Sequence, residues 1–168
     1  DIDRLEAGQG IASRSRVQVE ELINDSIDSV TPLVQNKEIT IEKLVPLSIP
    51  PLFIDEDMIR RVLINLMENA CKFSPQKGRV SIGAKVNGEM VMVCVDDQGP
   101  GIPEDARERI FEKFARLDAK SPVKGLGLGL TFCRIAILAH GGKIWVENLP
   151  RGGSRFLCLL PAALEENS

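Results

Sequence analysis

Apolar residues recur at spacings of three and four from Val17 onward. Val19, Leu22, Ile23, Ile27, Val30 and Val34 share one face, which predicts a helix over that stretch. From Glu38 to Leu44 the period changes: Ile39 and Ile41 alternate with polar neighbours, as in a strand. Pro46, Pro50 and Pro51 interrupt regular structure until Asp55, whose carboxylate suits a helix N-cap. Ile59, Val62, Leu63, Leu66, Met67 and Ala70 then form the stripe of a second helix. Arg79–Val86 and Glu89–Val95 are β-rich runs separated by Asn87-Gly88, a strong hairpin signal. Glu104 to Phe114 reads as a short helix after Pro103, and Leu117 to Lys124 as a loop. Leu130 to His140 is helical with Gly141-Gly142 as its stop. Two strands, Lys143–Glu147 and Ser154–Leu160, close the chain around a Pro-Arg-Gly-Gly turn. These elements predict an α+β fold: a two-layer α/β sandwich with a mixed sheet of about five strands packed under three helices.

The helix beginning after Asp55 carries more than a core stripe. At about 100° per residue, Asn65, Asn69 and Lys72 fall within roughly 60° of one another, beside the apolar face. Alone, such a line is a solvated surface. It gains meaning from three segments further along the chain: D-D-Q-G-P-G (Asp96 to Gly101), F-E-K-F (Phe111 to Phe114) and G-L-G-L-G-L (Gly125 to Leu130). The carboxylate of Asp97 stands before paired glycines that let backbone come close to a flat ring. The second glycine run precedes a helix start, where free N–H groups favour anions. Its spacing matches neither a Walker loop nor a Rossmann fingerprint.

In this order, N-L-M-E-N-A-C-K-F (Asn65 to Phe73) and the three later segments resemble the Asn box, glycine boxes and phenylalanine box of bacterial sensor histidine kinases. These kinases belong to the gyrase, chaperone, histidine kinase and mismatch-repair ATPase superfamily, and the resemblance spans residues 36 to 161. It implies a Bergerat-type ATP-binding fold with ATP and Mg²⁺ as cofactors. By that resemblance Asn69 is the metal ligand, Asn65 supports the metal's water shell or the phosphates, and Lys72 meets a phosphate as a point charge. Asp97 would accept from the exocyclic amine of adenine, where guanine offers an acceptor instead, with Gly99, Gly101 and Ile102 beside the ring. Gly125, Leu126, Gly127, Leu128, Gly129 and Leu130 would line the phosphates. Residues 112 to 124 would form a lid based on Phe111 and Phe114. Arg116 matches a lid arginine that reaches the γ-phosphate, with a solvated arginine as the other reading. Phe73 either packs on the nucleotide or ends its helix in the core. Ser154 either belongs to the site or merely enters a strand.

Two departures sharpen the expectation. Where the superfamily's hydrolases and serine kinases usually carry a glutamate, this chain has Asn65, whose amide is no base at neutral pH. That favours transfer to an already nucleophilic imidazole over hydrolysis or serine phosphorylation. The second departure is the histidine count of 1. His140 closes a helix, where the dipole favours it as a C-terminal residue, and does not read as a phosphoacceptor. The acceptor is therefore expected on a separate dimerisation hairpin, whose tail D-R-L-E-A-G (residues 3 to 8) resembles. This gives residues 1–16 as hairpin remnant and linker, 17–161 as the catalytic domain and 162–168 as a tail. A chain that opens on Asp1 is expected to be part of a longer protein. The hairpin and a response-regulator receiver domain would be its partners, and the fragment a monomer within a homodimeric parent. The competing reading is a nucleotide-binding regulatory module without phosphotransfer.

Composition changes little in this picture. A net charge of −3 over 168 residues gives no reason to expect nucleic acid, and no apolar run reaches the ~20 residues of a membrane span. Cys71, Cys94, Cys133 and Cys158 lie in apolar patterns without metal spacing, so reduced thiols and a cytoplasmic setting are expected.

Overall fold

The computed structural model describes residue 11, residues 13–112 and residues 126–164, except the side chains of 126–128. Its first element, β1 (Ser15–Val17), pairs antiparallel with β3 (Leu52–Ile54), Val17 opposite Leu52 and Ser15 opposite Ile54. Neither strand is visible as a period in the sequence. β1 falls in the expected polar linker, and β3 is three residues behind two prolines. Burial forms them, since Val17, Leu52 and Ile54 are all inaccessible.

The helix expected from Val17 to Val34 is two helices, α1 (Val19–Ser29) and α2 (Thr31–Lys37), meeting at Val30. Pro32 explains the break. It has no N–H to donate to Asp28, and its ring clashes with that carbonyl, so it begins a new helix. α2 ends on Glu38 in the left-handed region (φ 55°), and β2 (Thr40–Leu44) follows. α3 (Glu56–Phe73) starts as expected, with the Asp55 carboxylate accepting from Met58 N–H at 3.1 Å.

β4 (Arg79–Asn87) and β5 (Met90–Asp96) form the predicted hairpin, but Asn87 pairs with Met90, so the turn is Gly88-Glu89. Two short 3₁₀ turns, Glu104–Ala106 and Arg109–Phe111, replace the expected helix after Pro103. α4 (Leu126–Ala139) begins four residues before the expected start. Gly-Leu alternation hides a helical period, so Gly127 and Gly129 read as loop yet lie in the first turn. β6 (Lys143–Asn148) and β7 (Ser154–Pro161) complete the main sheet.

That sheet has 5 strands in the order β2-β4-β5-β7-β6, with β2 and β4 parallel and the other neighbours antiparallel. Val80, Ile82, Val91, Val93, Val95, Cys158 and Leu160 project from one face into the core. α1, α3 and α4 cover that face with Leu22, Ile23, Ile59, Leu63, Met67 and Ile137, all buried. The two-layer mixed sandwich is therefore the fold the periodicities predict, with one helix divided. No cysteine among the described residues is in a disulfide, and burial pushes the Cys71 thiol up to about 11 and Cys133 to about 12. Neutral thiols of this kind act as small apolar side chains.

Candidate functional site

The polar line of α3 faces the start of α4. Asn65 Nδ2 donates to the Gly129 carbonyl at 3.5 Å, and a Cβ built on Gly129 would lie 3.7 Å from Asn65 Cγ. Asn69, one turn on, is 7% exposed, and no described residue hydrogen-bonds its amide. An amide at such a place, with no partner among the described residues, is suited to a ligand or water. Lys72 is half-buried at the end of the same line, and no described residue pairs with its ammonium.

β5 delivers the carboxylate. Asp97 is 5% exposed, and its Oδ1 accepts from Gly99 N–H at 2.8 Å and from Ser154 N–H at 3.1 Å. The Asp97 N–H in turn donates to the Ser154 carbonyl at 2.9 Å, so β7 grips this residue from both sides. Burial pushes the carboxyl above the usual carboxylate range, and the Gly99 and Ser154 N–H groups pull it partly back. With Oδ1 committed twice, Oδ2 remains as the acceptor for something else.

Glycine is required around this group. A Cβ at Gly99 would lie 3.0 Å from both Cβ and the carbonyl oxygen of Phe73. Gly153, with φ of 95°, would drive a Cβ into the Asp97 carbonyl. The D-Q-G turn thus rests directly on the end of α3. Beyond it, Phe73, Asp97, Pro100, Gly101, Ile102, Ser154 and Phe156 line a small cavity between the sheet and α3. Phe73, the last residue of α3, is half-buried on its wall. Ser154 enters β7, and it also bonds Asp97 through its backbone and lies in the lining.

A larger cavity of about 300 Å³ lies by Arg79, Ser81, Asp96, Gln98, Arg151 and Arg155. Of the predicted site residues it touches only Asp97, so the smaller cavity, where the motifs converge, is the candidate site.

Asn148 was not singled out by any sequence pattern. Its Oδ1 accepts from Ile102 N–H at 2.8 Å, and its Nδ2 donates to the Ile102 carbonyl at 3.0 Å. In the sequence it reads as an ordinary residue of the N-L-P-R-G-G turn, so nothing marks it as a clamp on Gly101-Ile102. The Leu130 side chain is fully buried in the core. Leu126, Gly127 and Leu128 belong to the first turn of α4 and so do not precede it. The free N–H groups of a helix start are supplied by that turn itself. Phe114, Arg116, Gly125 and most of the expected lid lie outside the described residues.

The histidine has a different role from the one its position suggests. His140 is 2% exposed, with Nδ1 2.7 Å from the Ala136 carbonyl and Nε2 accepting from Asp55 N–H at 3.1 Å. Acceptance at Nε2 requires a neutral ring, and burial holds its pKa below the ordinary value. It is therefore no dipole-stabilised cation, and it ties the end of α4 to the N-cap of α3.

The sequence profile described as "Histidine kinase-, DNA gyrase B-, and HSP90-like ATPase" matches residues 54–164, from β3 to the end of the sheet. The chain belongs to this ATPase family. Among its histidine-kinase-like relatives is the adaptive-response sensory kinase SasA of Microcystis aeruginosa, 36% identical over 165 residues. That match takes in 95% of this chain and 43% of the relative. SasA of Synechocystis sp. is 39% identical over the same shares. The chain thus spans less than half the length of these relatives. Full-length ShkA, solved in complex with AMPPNP, superposes with a TM-score of 0.84 and 33% identity over 96% of this chain and 34% of its own. The catalytic domain of the histidine kinase ThkA gives 0.79 and 30% identity over 89% of this chain and 96% of its own. The described α-helices and mixed sheet are thus the ATP-binding ATPase fold of histidine kinases in this family member.

Proposed function

We propose that this chain is the catalytic ATP-binding domain of a two-component sensor histidine kinase. It would hold Mg-ATP and present the γ-phosphate to a histidine on a separate dimerisation hairpin. The observation that carries the reading is Asp97: a buried carboxylate with one oxygen fixed by two backbone N–H groups, in a cavity that α3 closes. Such a group accepts a hydrogen bond in one direction only, and the adenine amine fits it. The complex of ShkA with AMPPNP, an ATP analogue, supports the same ligand class.

Site roles derive from position. Oδ2 of Asp97 takes the amine, while Gly99, Gly101 and Ile102 give the ring backbone contact and Phe73 an apolar wall. The first turn of α4, with Leu126 to Gly129, turns its N–H groups to the phosphates. Asn65 holds that turn and Lys72 adds a positive charge. Gly125, Phe114 and Arg116 are assigned to the lid and its γ-phosphate contact. Asn69 fits Mg²⁺, since its amide oxygen is a hard donor with no partner among the described residues. No cluster of three carboxylate, thiol or imidazole groups occurs among the described residues, so the metal would come with the phosphates and take one protein oxygen. Bound there, Mg²⁺ would offset phosphate charge. Catalysis by the chain itself is positioning and electrostatics, without a base at Asn65 to activate water.

His140 is buried and neutral, so the acceptor lies elsewhere in a homodimeric parent, and the fragment alone would be a monomer. A response regulator would take the phosphoryl group next; ThkA has been solved in complex with the response regulator TrrA. Residues 1–16 are read as hairpin remnant and linker, with β1 packed on the catalytic unit. The unit itself is 17–161; just after it, the Ala162 N–H donates to the Glu89 carbonyl and the Ala163 N–H to that of Pro51. The remaining tail runs to residue 168. Use of ATP fits a cytosolic domain, and none of the described helices is long and apolar enough to cross a membrane.

Calorimetric titration of AMPPNP with and without Mg²⁺ into wild type and Asn69→Ala tests the reading. Expected is binding by wild type, and a loss in Asn69→Ala confined to the Mg²⁺ arm. Absence of binding by wild type would overturn it.

A further inference from the structure

Lys37 ends α2, outside every motif that marks the nucleotide site. Its ammonium donates to three backbone carbonyls at the end of α3: Cys71 at 3.1 Å, Lys72 at 2.7 Å and Ser74 at 2.8 Å. The last carbonyls of a helix have no partners of their own, and a cation there also meets the negative end of the dipole. One side chain from a neighbouring helix therefore uses all three ammonium donors on a single chain terminus.

What hangs on that terminus is the base-reading loop. Ser74 Oγ accepts from Gln98 N–H at 3.1 Å, and Gln98 Oε1 accepts from Arg79 N–H at 2.7 Å. Gly99 rests on Phe73, with its virtual Cβ 3.0 Å from the Phe73 carbonyl oxygen. Asp97, Gln98 and Gly99 thus take their place from residues 73 and 74, at the terminus Lys37 holds. Lys37 touches neither the cavity nor its lining residues except through this backbone.

From this geometry we infer that Lys37 is a positioning residue for adenine recognition. It fixes the end of α3 so that Phe73 and Asp97 face each other across the cavity at the right separation. The inference rests on the nucleotide site proposed above and deepens it. Removing the ammonium would free Phe73-Ser74 and let the D-Q-G turn drift, weakening the base contact. The Asn65 and Asn69 end of α3 lies one to two turns away and would keep its metal linkage.

The test is Lys37→Met and Lys37→Arg, titrated with AMPPNP and with ADP, each with and without Mg²⁺, well below the melting temperature. Lys37→Met is expected to lose about tenfold in affinity for both nucleotides. Its ratio of affinities with and without Mg²⁺ should stay that of wild type, and Lys37→Arg should recover most of the loss. Unchanged affinity in Lys37→Met, or a loss confined to the Mg²⁺ arm, would overturn the inference. A purely structural role would lower the melting temperature and leave the affinities of the folded protein alone. Should Lys37→Met fail to fold, Lys37→Gln takes its place. Amide exchange without nucleotide tests the hold on the D-Q-G turn separately, should the nucleotide site itself fail. Faster exchange at Gln98 and Gly99 supports positioning, and exchange equal to wild type refutes it.

Discussion

Replacing Asp97 by asparagine separates recognition from stability. Oδ1 is held by Gly99 N–H at 2.8 Å and Ser154 N–H at 3.1 Å, so the amide of Asp97→Asn must keep its oxygen there. Its NH₂ then points into the cavity, donor against the adenine amine. Losing a charge-assisted acceptor and opposing two donors costs about 2–4 kcal/mol, or roughly 30- to 1,000-fold in ATP affinity. Guanine presents an acceptor at that position, so the preference for ATP over GTP should shrink in the same variant. Stability moves the other way. The folded carboxyl keeps its proton to higher pH than an unfolded one because it is buried. Asp97 therefore takes stability away as pH rises out of the usual carboxylate range, and the neutral amide avoids that cost. Calorimetry with both nucleotides and thermal melts at pH 7.5 read both effects. Asp97→Asn that binds ATP within threefold of wild type, or melts far below it, would refute the reasoning.

Three further outcomes are expected. His140 accepts from Asp55 N–H only when neutral, and its folded pKa lies below the ordinary value, so its contribution is present above the usual imidazole range and lost as pH falls through the folded pKa; melts from pH 8 to 5 should show that fall, flattened in His140→Gln. Glu38 sits at φ 55°, where an L side chain is strained by roughly 1 kcal/mol, so Glu38→Gly should raise the melting temperature by a degree or more despite glycine's greater unfolded freedom. Asn148→Ala removes both hydrogen bonds to Ile102, and calorimetry should show AMPPNP affinity about tenfold weaker as Gly101-Ile102 loosens.

The parts of this protein legible in its sequence are those where local chemistry and tertiary place agree. Asp55 caps α3 because a short carboxylate reaches back to Met58, and the stripe from Ile59 to Ala70 is the face that packs. Asn65, Asn69 and Asp97 stand out only through their order along the chain, since spacing on a helix or before a glycine means little alone. β1 and β3 were not legible, because three residues carry no period and only mutual pairing makes them strands. The α1–α2 break at Pro32 was readable in principle, but an unbroken apolar spacing across Val30 and Val34 masked it. Asn148 and Lys37 left no signal at all. Their partners are backbone atoms 46 and 34 to 37 residues away, and backbone acceptors have no letter in a sequence.

The last strand of the sheet is not at its edge. β7 lies between β5 and β6, and the residue that begins it, Ser154, supplies one of the two N–H groups on Asp97. During synthesis, then, the ribosome releases α3, the D-Q-G turn and α4 well before any pocket exists. Until residues 154–161 insert, β5 offers an unpaired edge and Asp97 lacks half its support. In the proposed site, nucleotide capture would therefore wait for β7, and a nascent or clipped chain ending before it is expected to bind ATP poorly.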